Sequence, residues 1–162
     1  MKKKFSSLLL LTSIITSIFC FTLTAKASSS SPAGIDWDNI HLSENSDSSV
    51  VNNLKNNTFH DIYNGQYRYE YLDSNRNKLF ITFDKNNKLV SYKISGYYFK
   101  FDDGITAGFT PDQVKCIMQG YHGLKNPEIT SNDIDITYTY KFNNKKIIYS
   151  FNMGRLVQVT VS

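Results

Sequence analysis

Residues 155–162, RLVQVTVS, repeat an earlier stretch of the chain, KLVSYKIS at 88–95, with the same alternation of apolar and polar side chains. The two blocks before each stretch repeat in the same order: YRYEY (67–71) with ITYTY (136–140), and KLFITF (78–83) with KIIYSF (146–151). Alternation with a period of two is typical of β-strands that bury one face. The sequence therefore predicts three strands in each of two copies.

The connections between these predicted strands are short: DSNRN (73–77), DKNNK (84–88), NN (143–144) and NMG (152–154). Loops of this length join neighbouring antiparallel strands, so each copy is predicted to form a three-stranded meander. The alternation places nine apolar residues of each copy on one face: Tyr67, Tyr69, Tyr71, Leu79, Ile81, Phe83, Val90, Tyr92 and Ile94, and Ile136, Tyr138, Tyr140, Ile147, Tyr149, Phe151, Val157, Val159 and Val161.

A helix is expected to cover the apolar face of each meander, because such a face needs a second layer. In the second copy Thr110 is the predicted N-cap, Pro111 takes the first helical position and Gln113 completes a capping box. In the first copy Ser46 is the predicted cap of a helix that carries Val50. The predicted fold class is α+β, with two tandem helix-plus-antiparallel-meander repeats whose sheets join into one curved sheet with the helices on one face.

The chain divides into four predicted parts. Residues 1–27 have the pattern of a signal peptide, with lysines, then an apolar run, then Ala25-Lys26-Ala27. The other parts are a Ser-rich lead-in at 28–34, the first repeat at 35–95 and the second repeat at 97–162. The segment YYFKF, 97–101, is expected to pair as a strand that joins the two copies. The protein is predicted to be secreted, either extracellular or associated with the cell wall, with no membrane span after cleavage.

Loss of residues 1–27 changes the charge and the cysteine content. The full chain has 18 basic and 14 acidic residues, and this segment contains four of the basic ones, so 14 of each remain. A neutral protein lacks the basic surface that nucleic acids require, so no nucleic-acid partner is expected. The same cleavage removes Cys20, which leaves Cys116 as an expected unpaired thiol on the exposed side of the helix.

The sequence contains no set of residues with catalytic or metal-binding spacing. Cys116 is the candidate nucleophile, and His41, His60 and His122 are the candidate bases, which would have to lie within hydrogen-bond reach of it. His60 and His122 each follow an aromatic residue at matching places in the two copies, and both lack the further ligands of a zinc site. We therefore expect no catalytic residue, no cofactor, no metal site and no enzymatic activity.

The polar face of the sheet supplies the candidate binding residues. Phe80 and Ile148 occupy equivalent places in the middle strand of each copy, and both point to this otherwise polar face. Large apolar side chains in such a setting indicate a surface for a protein partner. The candidate partner-binding residues are Arg68, Phe80, Thr82, Lys93, Thr139 and Ile148.

One known family shares the motifs of the second copy. Gly108-Phe109-Thr110, followed by Gln113-Val114, a glycine at 120, the strand ITYTYKF and the closing strand GRLVQVTVS, resembles the repeat of β-lactamase inhibitory proteins. It is also similar to the related small outer-membrane lipoproteins of barrel assembly. The resemblance implies a helical segment packed on an antiparallel sheet in each repeat, and a curved joint surface that binds proteins.

These features together predict a secreted, non-enzymatic module that binds another protein, as an inhibitor of an extracellular enzyme such as a β-lactamase or another hydrolase. Two alternatives stay open at this point. One is a peptidase-inhibitor-like module of the kind found in propeptides. The other is a structural protein of cell-envelope assembly.

Overall fold

The structure, a computed structural model, describes residues 32–37, 40–43, 45–54 and 57–162. The predicted signal peptide, 1–27, and residues 28–31 of the Ser-rich lead-in lie outside the described residues. Within the described ranges, no helix combines the length and the apolar character that crossing a membrane would require.

Ten strands, one short 3₁₀ helix and one α-helix make up this part of the chain. In chain order they are β1 (Ile35–Trp37), β2 (Ile40–Leu42), the 3₁₀ helix (Ser48–Asn52), β3 (Asn57–Tyr63), β4 (Gln66–Leu72), β5 (Lys78–Phe83), β6 (Leu89–Ser95), α1 (Pro111–His122), β7 (Glu128–Ser131), β8 (Asp135–Phe142), β9 (Lys145–Asn152) and β10 (Arg155–Val161). Strands β1 and β2 form a separate hairpin, and the other eight strands form one antiparallel sheet.

The large sheet is arranged symmetrically about its centre. Its strand order is β3-β4-β5-β6-β10-β9-β8-β7, so the last strands of the two copies pair with each other in the middle. The six strands expected from the alternation lie where they were predicted. The edge strands β3 and β7 were not predicted, and each extends its meander to four strands.

The same β-bulge interrupts the last strand of each copy. In β6 the bulge shifts the pairing so that Leu89, not Val90, is buried, and in β10 it buries Leu156 in place of Val157. A bulge sets two residues against one on the neighbouring strand and thereby changes which side chain faces the core. The prediction that Val90 and Val157 lie on the core face is therefore wrong.

The predicted α+β class, with a helix on each meander, is also wrong, because the protein is mostly β and α1 is the one α-helix among the described residues. Helix α1 does begin at the predicted cap, where Thr110 Oγ1 accepts from the Gln113 amide at 3.3 Å and Gln113 Oε1 accepts from the Thr110 amide at 2.8 Å. In the first copy only the 3₁₀ helix forms. Its cap is Asp47 rather than Ser46, and its sequence, SSVVN, has a low helix propensity.

Two different elements contribute to the layer over the sheet's apolar face. Helix α1 buries Val114, Ile117 and Met118 over the second half. The N-terminal hairpin contributes Ile35, Trp37 and Leu42 to the same buried cluster. The hydroxyl of Tyr92 on β6 donates to the carbonyl of Ala33, just before the hairpin. The hairpin thus belongs to the layer that buries the apolar face, and it approaches the sheet at β6.

The segment between the copies does not form the strand that was expected for 97–101. Phe99 and Phe101 are buried with their rings edge to face at 5.6 Å, while Tyr97 and Tyr98 project into solvent. The one bridge in this segment joins Lys100 to Thr106. The buried side chains of Phe99 and Phe101 therefore anchor the connection in the core, and the connection adds no strand to the sheet.

Tyr71 and Tyr140 are equivalent residues of the two copies, and each buries a hydroxyl that has no hydrogen-bond partner in the described part of the chain. Burial, with a neighbouring tyrosine as a smaller cause, raises the pKa of each to about 12. The pKa of each tyrosine in the folded protein lies above the ordinary value of about 10. The contribution of these two residues to the free energy of unfolding is therefore fully present below pH 10 and is lost as the pH rises towards 12.

Replacing both residues with phenylalanine is therefore expected to leave stability at pH 7 unchanged or to raise it by about 1 kcal/mol, because an unsatisfied buried hydroxyl is removed. The double variant should also lose less stability than wild type between pH 10 and 11.5, as measured by urea unfolding at each pH. The exposed Tyr97 provides the control, since Tyr97→Phe should change neither quantity. A double variant that is clearly less stable at pH 7 would show that the hydroxyls have partners.

Candidate functional site

The sheet face opposite the core, here called the open face, carries all six candidate binding residues. Phe80 lies between the fully buried Leu79 and Ile81, and Ile148 lies between the buried Ile147 and Tyr149, so both side chains point away from the core. One row of directly paired residues crosses all eight strands on this face: Phe59, Glu70, Phe80, Lys93, Thr160, Ile148, Thr139 and Glu128. Arg68 and Thr82 form part of the next row.

The open face is large enough for a protein partner. Seven strand spacings of about 4.8 Å make it about 34 Å wide, and six to seven residues at about 3.3 Å make it about 20 Å long. The resulting area, of the order of 700 Å², is close to the roughly 800 Å² that one partner contributes to a standard interface. No described helix or loop supplies buried apolar residues over this face.

Phe80 and Ile148 form two separate apolar positions on this surface. They lie on β5 and β9, three strand spacings or about 14 Å apart, with Lys93 and Thr160 between them in the row. The Lys93 ammonium lies over the Phe80 ring, 4.3 Å from its centroid. This cation–π contact restrains the lysine. Phe80 and Ile148 are both half-buried.

Arg68 is fixed by contacts within the sheet. Its guanidinium donates twice to the carboxylate of Asp61 on the neighbouring strand and lies 4.7 Å from the centroid of the Tyr63 ring. These hydrogen bonds are the main reason why the pKa of Asp61 is below its usual value. Arg68 is therefore held in one orientation before a partner binds, and Asp61 largely neutralises its positive charge.

A second exposed apolar group, here called the end patch, was missed in the sequence. It lies at the end of the sheet where β6 stops and β8 and β10 begin, and its members are Tyr97 (79% exposed), Tyr98 (72%), Ile134 (53%) and Met153 (79%). The Met153 amide donates to the Ile134 carbonyl at 2.9 Å, which joins two of the four.

One residue of the end patch, Met153, departs from the usual sequence of a hairpin turn and could have indicated the patch. It has φ 50° in the turn between β9 and β10, a position that Asn64 occupies, with φ 50°, in the turn between β3 and β4. Hairpin turns of this kind prefer asparagine before glycine, because a left-handed backbone disfavours other side chains. An exposed methionine there is a local exception to the turn rule.

Cys116 is disulfide-bonded, so the expectation of an unpaired thiol is wrong and no thiolate is present there. The prediction assumed that Cys20 is lost when the signal peptide is cleaved. Cys20 lies outside the described residues. The side chain of His122, one of the candidate bases, is buried, and its Nε2 lies 3.0 Å from Asp103 Oδ2. His60 is exposed and stacks on Tyr69 at 4.5 Å between ring centroids.

Three groups that could hold a metal ion meet away from the open face: Asp36, His41 and Asp102. Their spacing in the sequence does not indicate a site, because they lie on β1, on β2 and in the segment after Phe101. A surface cavity of about 310 Å³ lies elsewhere, between the segment 124–128 and β8. Lys125, Lys141 and Glu128 line it, and the lining includes neither histidine nor cysteine.

Comparison of the chain with protein families, with characterised proteins and with solved structures finds no match. The resemblance to the repeat of β-lactamase inhibitory proteins therefore rests on the residues of the second copy quoted above.

Proposed function

We propose that this protein is a secreted, non-enzymatic module that binds another protein through the open face of its eight-stranded sheet, as an inhibitor of an extracellular enzyme such as a β-lactamase or another hydrolase. The observation that carries the proposal is the paired row across all eight strands, which places Phe80 and Ile148 on one uncovered surface. The choice of an inhibitor rests on the resemblance of the second copy.

The chemistry of the face favours affinity from local contacts. Residues 28–162 contain 14 basic and 14 acidic residues. A segment with no net charge gives little long-range steering, so binding energy has to come from side chains that the partner buries. A half-buried aromatic ring and a half-buried isoleucine lose little conformational freedom when a partner covers them, since the sheet already restricts both. Such residues are the usual energetic centres of an interface.

Phe80→Ala and Ile148→Ala are each expected to cost less than about 1 kcal/mol in folding, because both side chains lie outside the core. At least one of them should weaken partner binding by more than about 1 kcal/mol, or about fivefold in Kd. Ile129→Ala is the matched control, because Ile129 is an exposed isoleucine of edge strand β7 that pairs with Tyr138 on the other face.

The measurement starts from the immobilised chain and the secreted fraction of its own culture, with bound protein identified by mass spectrometry. The purified partner is then titrated against wild type and the three variants, and tested for loss of hydrolase activity when the chain is added. Equal affinities for all four proteins, at equal stability, would place the interface elsewhere and contradict the proposal. Binding without inhibition would reject the inhibitor and retain the open face.

A further inference from the structure

Asp36, His41 and Asp102 come from three segments that the fold brings to one point. Asp36 on β1 and His41 on β2 are direct partners in the N-terminal hairpin. Asp102 follows the buried Phe101, and its amide donates to the carbonyl of Gly34 at 2.9 Å, next to the start of β1. We propose that these three side chains bind one divalent transition-metal ion, with Zn²⁺ as the best match, and that the ion fastens the hairpin to the segment after Phe101.

The distances between the donor atoms fit one metal ion. His41 Nδ1 lies 3.1 Å from Asp36 Oδ1 and 3.6 Å from Asp102 Oδ2, and all three donor atoms lie within 4.8 Å of one another. In a tetrahedral zinc site with bonds of about 2.0–2.1 Å, neighbouring ligand atoms are about 3.3–3.4 Å apart. The two distances from His41 bracket this value, and the third pair of donor atoms, on Asp36 and Asp102, lies within 4.8 Å.

The hydrogen-bonding capacity of the cluster leaves room for a cation. Nδ1 of His41 carries at most one hydrogen, so it cannot donate fully to both carboxylates. In the described part of the chain no lysine or arginine forms an ion pair with Asp36 or Asp102. The neighbouring Asp103 does not help, because it is acidic and is already paired with the buried His122.

The donor set selects the class of metal. One imidazole nitrogen with two carboxylate oxygens suits zinc and its neighbours among the transition metals. Calcium takes six to eight oxygen ligands and magnesium retains most of its water, so neither is matched by this set. Three protein ligands leave a fourth position for water. The role follows from the location, since the ligands lie on the hairpin and on the segment that it packs against.

The test is calorimetric titration of ZnCl₂ into the full chain, purified without a polyhistidine tag and freed of metal with a chelator. One ion per chain is expected, with Kd raised at least tenfold in His41→Ala and in Asp102→Asn. His60→Ala is the matched control, because His60 is also an exposed strand histidine and lies outside the cluster. Zn²⁺ should raise the Tm of wild type and of the control, and should not raise it in the two ligand variants.

Three further readouts keep the outcome decisive. Metal-free ligand variants should melt like metal-free wild type, and Asp36→Asn replaces any variant that does not fold. Co²⁺ bound in place of Zn²⁺ should give the intense visible absorption of a tetrahedral site. The proposal is overturned by an absence of saturable binding, by equal Zn²⁺ affinity in wild type and ligand variants, or by loss of binding in His60→Ala.

Discussion

Replacing Tyr149 with alanine is expected to lower the free energy of unfolding by about 4 kcal/mol, the scale measured for large aromatic side chains removed from a core. Tyr149 is fully buried on β9, beneath helix α1. Its hydroxyl donates to Met118 Sδ at 3.2 Å, and its ring packs edge to face against Tyr140 at 5.9 Å. The substitution removes a buried contact between the sheet and its helix, and the expected loss approaches the whole stability of a marginally stable small domain.

Ile148 is the matched control, because it is the adjacent residue of the same strand and points to the open face. Ile148→Ala should cost less than about 1 kcal/mol. Urea unfolding of both variants, followed by circular dichroism, measures the difference. Similar losses for the two variants would show that the open face is buried by another part of the chain, and the assignment of the two faces would then be wrong.

Gly96→Ala is expected to cost at least about 3 kcal/mol, because the backbone and the packing both exclude a side chain there. Gly96 has φ 148°, a conformation that is essentially restricted to glycine. An added Cβ would lie 2.2 Å from Asn77 Oδ1 and 2.9 Å from Asn77 Cα. Asn77 cannot retreat easily, since it is buried and its side chain is bound to Asp73 and to the amide of Tyr98.

Gly120→Ala serves as its control. Gly120 lies within helix α1, and a Cβ at this position would have nothing within 4 Å. Alanine should therefore stabilise the protein by up to about 1 kcal/mol through its higher helix propensity. Thermal unfolding of the two variants compares the effects, and a Gly96→Ala protein that melts within a degree or two of wild type would mean that the exit from β6 is flexible.

The six inner strands could be predicted because alternation directly reports which side of a strand is buried, and because two copies check each other. The bulges could not be predicted in this way. Leu89-Val90 and Leu156-Val157 are each pairs of adjacent apolar residues, so either member satisfies the pattern, and only the pairing with the next strand decides between them.

The missing first helix has a different cause. Its segment had a capping residue and apolar residues at helical spacing, but local propensity was weak and the competing cover was far away in the sequence. The hairpin β1–β2 packs over the same face, and β3 begins only five residues after the 3₁₀ helix ends at Asn52. Tertiary packing therefore decided the structure of this segment.

The candidate functional residues also differ in whether the sequence could reveal them. Phe80 and Ile148 could be placed on the open face from strand parity alone, because parity is a local property of each strand. The cluster of Asp36, His41 and Asp102 could not be found, since Asp102 lies 61 residues after His41 and approaches the hairpin only in the folded chain.

The most direct test of the central claim is photo-crosslinking from defined positions on the two faces. A benzophenone amino acid is placed at Thr160, in the middle of the open face, or at Gln119, exposed on helix α1 on the other side. Irradiation in the secreted fraction should give one discrete protein adduct from position 160 that excess unlabelled chain abolishes, and none from position 119. Adducts from position 119 alone, or equally from both positions, would contradict binding through the open face.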